Sequence, residues 1–139
     1  MSPNLTNVLT VGYNGQPAGL PNNRCRGTPG TCGCIHSEAN ALVKLREPAS
    51  RSSDLLLLCT HSPCEHCAGL VLNSACIGYV LFAGAYRLST GLQILQAGGI
   101  VTVSWMLLGE KFASLEEKGE AEWLELAAIE PVNEEPQPS

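Results

Sequence analysis

The 139-residue sequence predicts a single α/β domain in which helices alternate with the strands of one sheet. Three observations support this class: short apolar segments of strand length, helical patterns between them, and glycine or proline where the elements end. Alternation of this kind implies parallel strand pairs joined by right-handed crossovers. We therefore expect helices packed on a central sheet.

The predicted elements follow one another as strand, helix, strand, helix, strand, helix and strand. Apolar periodicity and turn residues place them at 6–13, 36–47, 54–60, 64–75, 77–83, 90–97 and 100–105. Ser89 or Thr90 is the expected cap of the last helix, and Gly98 and Gly99 end it. In the first helix the expected buried face carries Ala39, Leu42, Val43 and Arg46.

The domain organisation is predicted to have three parts. Residues 1–107 form the main domain, residues 108–130 a helical extension packed on it or at a subunit interface, and residues 131–139 a disordered tail. The proportion of hydrophobic residues, 45%, is sufficient for a packed core. No apolar segment approaches the ~20 residues of a membrane-spanning helix.

Cysteine content and charge indicate a compartment and exclude some partners. The N-terminus has no signal-peptide pattern, and seven cysteines, an odd number, favour a reducing environment, so the cytoplasm is the expected location. Residues 1–109 contain six basic and four acidic residues, whereas residues 110–139 contain two and nine. A nucleic-acid backbone usually requires a basic face, which this sequence lacks.

Two short motifs carry the chemistry: His36-Ser37-Glu38 and Pro63-Cys64-Glu65-His66-Cys67. One imidazole and two thiolates are a ligand set that zinc accepts while leaving a fourth position for water. Zinc lowers the pKa of that water to roughly 7, and Glu38 is placed to shuttle its proton. H-x-E followed by P-C-x-x-C is the signature of zinc deaminases. A redox cysteine pair would leave His36 and Glu38 without a role.

The second motif is expected to begin a helix. Ser62, Pro63 and Glu65 match a capping box with Ser62 as N-cap and proline at the first helical position. Both thiols then lie in the first turn, where the helix dipole favours thiolate over thiol.

The chain resembles the deoxycytidylate deaminases, a branch of the cytidine deaminase-like superfamily of zinc hydrolases. The zinc motifs are shared throughout that superfamily, whereas Gly12-Tyr13-Asn14-Gly15 is more particular to the deoxycytidylate branch. The similarity extends from about Val11 to Val103. Its landmarks are residues 11–15, Pro17, Gly19 and residues 35–41, 62–68, 73–77, 86–87 and 97–100.

The resemblance implies a three-layer α/β/α sandwich with a mixed sheet and hydrolytic conversion of dCMP to dUMP in pyrimidine deoxynucleotide metabolism. It implies a zinc cofactor, a homo-oligomer (trimer or hexamer) and regulation by dCTP or dTTP. The residues carried over are His36, Cys64 and Cys67 as zinc ligands, Glu38 as acid and base, and Asn14, Ser37 and Tyr86 as substrate contacts.

One departure from the family pattern concerns phosphate recognition. The family usually begins with a helix and a first strand that are not found here, and that segment usually includes a phosphate-binding arginine. Arg24, Arg26 and Arg87 are the candidates to bind the phosphate instead, because guanidinium groups match its oxygens.

Several alternatives remain open at this point. Asn14 before Gly15 is also a common tight-turn pair. Cys25, Cys32 and Cys34 precede His36 and could hold a second, structural zinc, although the sequence names no fourth ligand. The substrate could be a 5-substituted dCMP, or a nucleic acid or tRNA, and the chain could be a non-catalytic zinc module.

Overall fold

The computed structural model describes residues 7–28, 32–46 and 55–106. The predicted helical extension at 108–130 and the predicted tail at 131–139 lie outside the described residues. The elements found are the helices α1 (Ser37–Lys44), α2 (Glu65–Ser74) and α3 (Thr90–Ala97), the strands β1 (Leu55–His61), β2 (Ile77–Gly84) and β3 (Val101–Ser104), and a 3-10 turn at Asn22–Arg24.

The three strands form a parallel sheet in the order β1-β2-β3. Helix α2 connects β1 to β2, and α3 connects β2 to β3. Because the strands follow one another across the sheet in chain order, two right-handed crossovers place their helices on the same face. Helix α2 accordingly packs against α3. His61 is paired with Gly84, so β1 and β2 end level with each other. Ligand sites of such sheets lie beyond these carboxyl ends.

The core lies between this sheet and the helices. Val71 of α2, Leu95 of α3, and Val80 and Phe82 of β2 are at most 2% exposed. Each such side chain contributes about 1.5–3 kcal/mol on burial. The packing fixes the start of α2 relative to the ends of β1 and β2. Strands β1 to β3 and helices α2 and α3 agree with the predicted bounds to within one residue.

The prediction of a strand at 6–13 is wrong for the described residues 7–13, which form no ladder with the sheet. The segment is held by helix α1 instead. Thr10 Oγ1 donates to the carbonyl oxygen of Ala41 at 3.1 Å. A Cβ at Gly12 would lie 2.6 Å from the Ala41 nitrogen, so only glycine permits this approach. The one antiparallel bridge among the described residues joins Gly15 to Ile35.

Helix α1 is shorter than predicted, and its predicted buried face is correct only in part. Leu42 packs against the core and Ala39 is half-buried. Val43 is 77% exposed and Arg46 is exposed, whereas Glu38 and Ala41 are buried. The buried side is turned toward α2 and the 10–14 segment, which the apolar pattern of the helix alone does not reveal. Within the described parts of the chain, no helix has the length and apolar character needed to cross a bilayer.

Candidate metal centre and active site

The two motifs meet at the starts of two helices. His36 is the N-cap of α1 and directly follows Ile35, whose backbone pairs with Gly15. Cys64 is the N-cap of α2, and Cys67 lies in its first turn. Since α1 packs against α2, the imidazole and the two thiols converge on one point.

The three side chains have the separations of a tetrahedral ligand set. His36 Nδ1 lies 3.4 Å from Cys64 Sγ and 3.6 Å from Cys67 Sγ. A nitrogen and a sulfur bound to one tetrahedral zinc are about 3.6 Å apart, given bonds of about 2.0–2.1 Å and 2.3 Å. Both nitrogen–sulfur separations therefore match a zinc site, and the two sulfurs lie within 4.8 Å of each other.

The surroundings of the Cys67 thiol oppose its ionisation. Burial, and after it the negative charges of Glu38 and Cys64, raise the pKa of the Cys67 thiol above its ordinary value. Burial therefore opposes the preference for a thiolate that the helix start is predicted to give. A bound metal ion reverses this balance, because a coordinated thiol is deprotonated outright.

Glu38 faces the same small volume. Its side chain is buried, and it accepts a hydrogen bond from Ser37 Oγ to Oε2 at 3.0 Å. Glu38 lines the same cavity as His36 and Cys64, and its negative charge contributes to the raised pKa of the Cys67 thiol. A buried carboxylate is costly unless a positive charge or hydrogen bonds compensate it, and a zinc ion would supply such a charge.

A cavity of about 830 Å³ opens above this cluster at the carboxyl ends of β1 and β2. Of the predicted substrate residues, Asn14, Ser37, Tyr86 and Arg87 line it together with His36, Glu38 and Cys64. Arg24 and Arg26 are absent from its lining, since Arg24 lies in the exposed 3-10 turn and Arg26 approaches Gly33. Arg87 is therefore the predicted phosphate ligand that the fold brings to the cavity.

Two polar side chains hold the walls of the cavity in place. Asn14 Oδ1 accepts the backbone N–H of Ser37 at 2.7 Å and so caps the first turn of α1. Ser62 is 2% exposed, and its Oγ accepts the backbone N–H of Tyr86 at 2.7 Å. The predicted N-cap role of Ser62 is thus wrong, because Cys64 is the N-cap and Ser62 bridges two loops. Only the tertiary structure reveals this positioning role. His61 also lines the cavity.

Three further cysteines come together outside the His36 centre. The sulfurs of Cys25, Cys32 and Cys34 lie within 4.8 Å of one another, and all three residues line the outer wall of the cavity. Cys76 is buried and Cys59 half-buried, and both pack in or against the hydrophobic core. Burial raises the pKa of the Cys59 thiol to about 12.

Gly91→Ala is expected to disturb the metal centre from a distance. A Cβ at Gly91, in the first turn of α3, would lie 2.9 Å from the carbonyl carbon of Cys64 and 3.0 Å from its oxygen. Forced overpacking of this kind costs about 1–3 kcal/mol. We expect the free energy of unfolding to fall by that amount in guanidinium titrations, and zinc affinity to fall with it.

Gly69→Ala is the matched control for this substitution. Gly69 lies within α2, and no atom lies within 4 Å of the position its Cβ would take. Alanine should therefore raise the free energy of unfolding by about 0.5–1 kcal/mol. Equal effects of the two substitutions would contradict the close contact at Gly91.

Similar proteins of known function belong to the class of enzyme that this metal centre indicates. The chain is 31% identical over 107 residues to a deoxycytidylate deaminase of Schizosaccharomyces pombe, a match that covers 67% of the chain and 32% of the relative. It is 30% identical over 105 residues to the Saccharomyces cerevisiae deoxycytidylate deaminase, covering 67% of the chain and 33% of the relative. The matched region thus spans about a third of the length of these curated relatives.

Solved structures show the same fold. The dCMP deaminase of cyanophage S-TIM5, solved in complex with dCMP and dUMP, superposes with a TM-score of 0.62 at 31% identity, covering 73% of the chain and 75% of the phage protein. Its apo form gives a TM-score of 0.56 at 30% identity, covering 71% and 72%. The predicted cytidine deaminase-like α/β fold is confirmed. Among the described residues, two layers of the predicted sandwich are present: the sheet, and the helices α2 and α3 on one of its faces.

The family described as the cytidine and deoxycytidylate deaminase zinc-binding region matches residues 4–83, more than half of the chain. This region contains both motifs of the metal centre and the loop at Gly12–Gly15. Family match, shared fold and ligand geometry agree, and the chain therefore belongs to the zinc-dependent cytidine and deoxycytidylate deaminases.

Proposed function

We propose that this chain catalyses the hydrolytic deamination of dCMP to dUMP. The observation that carries the proposal is the convergence of His36, Cys64 and Cys67 at zinc-ligand separations beside the buried carboxylate of Glu38, at the floor of one cavity. A purely structural zinc site has no use for such a carboxylate. The cavity volume, about 830 Å³, is within the range of nucleotide-sized ligand sites.

Glu38 performs the proton transfers in the proposed reaction. Zinc in such a site supplies Lewis-acid activation that brings the pKa of water near neutrality. The water oxygen adds to C4 of the cytosine ring, and Glu38 accepts one of its protons and delivers it to the ring nitrogen. The second proton is passed to the amino group, whose bond to C4 then breaks. The products are dUMP and ammonia, so one water is consumed for each dCMP.

The monophosphate specificity rests on the upper part of the cavity and on the relatives. Arg87 lies at the cavity with its guanidinium 5.6 Å from the centre of the Tyr86 ring, which limits the positions it can take. Tyr86 is held in turn by the Ser62 hydroxyl. The relatives are named for deoxycytidylate, and the phage structure contains dCMP and dUMP.

Arg87→Gln is expected to weaken recognition of the phosphate selectively. A charged hydrogen bond contributes about 1.5–3 kcal/mol, and the exposure of Arg87 places the expected effect at the lower end. We expect kcat/KM for dCMP to fall about 10-fold while that for deoxycytidine stays constant. Arg24→Gln, which removes a guanidinium outside the cavity lining, should change neither value. An equal loss on both substrates would refute a phosphate contact by Arg87.

A substrate panel tests the proposed function directly. Deamination is followed by ultraviolet absorbance on dCMP, CMP, deoxycytidine, dCTP, 5-methyl-dCMP and single-stranded DNA, with zinc content measured in the same preparation. Preferred turnover of dCMP supports the proposal, and preferred turnover of 5-methyl-dCMP moves the assignment to a modified nucleotide. Turnover of DNA alone, or of no substrate by a zinc-loaded protein, overturns it.

Regulation and assembly remain predictions that the same protein can test. The segment Gly12–Gly15 corresponds to the loop that the family uses to receive dCTP or dTTP between subunits. If that property is kept, addition of dCTP or dTTP should change the rate, and light scattering should report a trimer or hexamer. A rate that does not respond to dTTP would remove the regulatory prediction without affecting the deaminase proposal.

A further inference from the structure

Cys25, Cys32 and Cys34 form a second cluster of potential metal ligands on the outer wall of the cavity. Cys25 is exposed and follows the 3-10 turn, while Cys32 and Cys34 are half-buried on either side of Gly33. Their sulfurs lie within 4.8 Å of one another. Thiolates on one tetrahedral zinc are about 3.8 Å apart, so at most a shift of about 1 Å brings them to ligand spacing.

The backbone of this loop is arranged to bring the three sulfurs together. Gly33 has φ +81°, a left-handed conformation that turns the chain between Cys32 and Cys34. The backbone N–H of Arg26 donates to the carbonyl oxygen of Cys32 at 3.1 Å and joins the two halves of the loop. Cys25 is thereby held against the Cys32–Cys34 turn.

Hydrogen-bond donors are directed at the sulfurs, as they are around metal thiolates. The backbone N–H of Cys34 donates to Cys32 Sγ at 3.4 Å, and Gln16 Nε2 donates to Cys34 Sγ at 3.3 Å. The Arg26 guanidinium would lie 3.5 Å from a Cβ at Gly33, so a positive charge adjoins the cluster. Three thiolates and one zinc ion carry a net negative charge, which this guanidinium offsets.

We propose that Cys25, Cys32 and Cys34 bind a second zinc ion whose fourth ligand is a solvent oxygen. Among the described residues, no histidine or carboxylate joins the three sulfurs. Zinc engages all three thiols, whereas a disulfide would use two and leave the third unexplained. The ion anchors a segment whose described residues, 25–28 and 32–34, are exposed or half-buried, and this segment leads directly to His36. This inference is independent of the proposed activity.

Zinc content per chain tests the second site. Full-length protein purified under reducing conditions should contain two zinc ions per chain by atomic emission. Cys32→Ser and His36→Ala should each contain one, and their visible cobalt spectra should differ because the remaining sites have different numbers of thiolates. Cys59→Ala, which removes a thiol outside both clusters, should still contain two.

X-ray absorption on the unaltered protein gives a test that does not depend on variants folding. Two sites average about 2.5 sulfurs per zinc, against 2 for the His36 centre alone. Two zinc ions in Cys32→Ser would overturn the proposal. The proposal would also be overturned if the unaltered chain contained one zinc ion and His36→Ala contained none. It would likewise be overturned if the unaltered chain contained one zinc ion and mass spectrometry found a disulfide within the cluster. Loss of dCMP turnover with both zinc ions retained would count only against the proposed function.

Discussion

Replacing Glu38 with glutamine is expected to lower kcat for dCMP by about 10²–10⁴-fold while the zinc content stays the same. Glutamine keeps the shape of the side chain and can keep the contact with Ser37 Oγ, but it cannot accept and return a proton. General acid–base transfer by a positioned side chain contributes an effect of this size. Turnover is measured by ultraviolet absorbance and zinc by atomic emission on the same sample.

Glu65→Gln is the control for the Glu38 substitution. Glu65 is exposed in the first turn of α2 and is absent from the cavity lining, so its replacement should leave kcat unchanged. After zinc has been removed from both proteins by chelation, the Glu38 variant should unfold at no lower denaturant concentration than the unaltered protein, because it lacks a buried charge whose counterion is then absent. Retention of more than a tenth of the activity, or loss of zinc, would contradict the role given to Glu38.

Cys67→Ser is expected to remove one zinc ion per chain and to abolish activity. Cys67 is 2% exposed, and serine is close to it in size, so the substitution changes the ligand and little else. Changes to groups that merely support a ligand lower metal affinity 10- to 100-fold, and loss of the ligand itself should exceed that. Competition with a chromogenic zinc chelator measures the affinity.

The stability of this variant distinguishes a metal effect from a packing effect. Metal binding to the native state stabilises it, so the unaltered protein should lose stability when zinc is removed by chelation. The Cys67 variant should show no such dependence on the zinc of the His36 centre. Cys59→Ser, which alters a half-buried thiol outside both clusters, should keep the dependence. A Cys67 variant that binds zinc with unchanged affinity would exclude it as a ligand.

Identifying the substrate-binding residues required the tertiary structure to a greater extent than identifying the metal ligands did. Three arginines were equivalent phosphate candidates in the sequence, and the fold brings Arg87 to the cavity while Arg24 and Arg26 stay outside its lining. Ser62 appeared to be a helix cap, yet its hydroxyl holds the backbone of Tyr86. Such contacts join residues 24 positions apart, and no local pattern encodes them.

The N-terminal segment shows how a correct local pattern can give a wrong element. The apolar pattern of residues 6–13 predicted a strand, but Thr10 and Gly12 face helix α1, while Val11 is 69% exposed. Extended backbone and strand pairing are separate properties, because pairing requires a neighbouring strand at hydrogen-bonding distance. Similarly, the buried side of α1 is set by its neighbours, and Val43 is left exposed.

The sequence by itself determined the metal chemistry and the helix–strand order of this protein. Zinc ligands and a proton shuttle are recognisable by residue type and spacing, and periodicity reports local burial. Tertiary structure alone decided which side chains share the cavity, that Asn14 caps α1, and that Cys25, Cys32 and Cys34 converge. The physical reason is that these arrangements depend on the relative placement of distant segments, which is fixed by packing across the whole domain and not by neighbours along the chain.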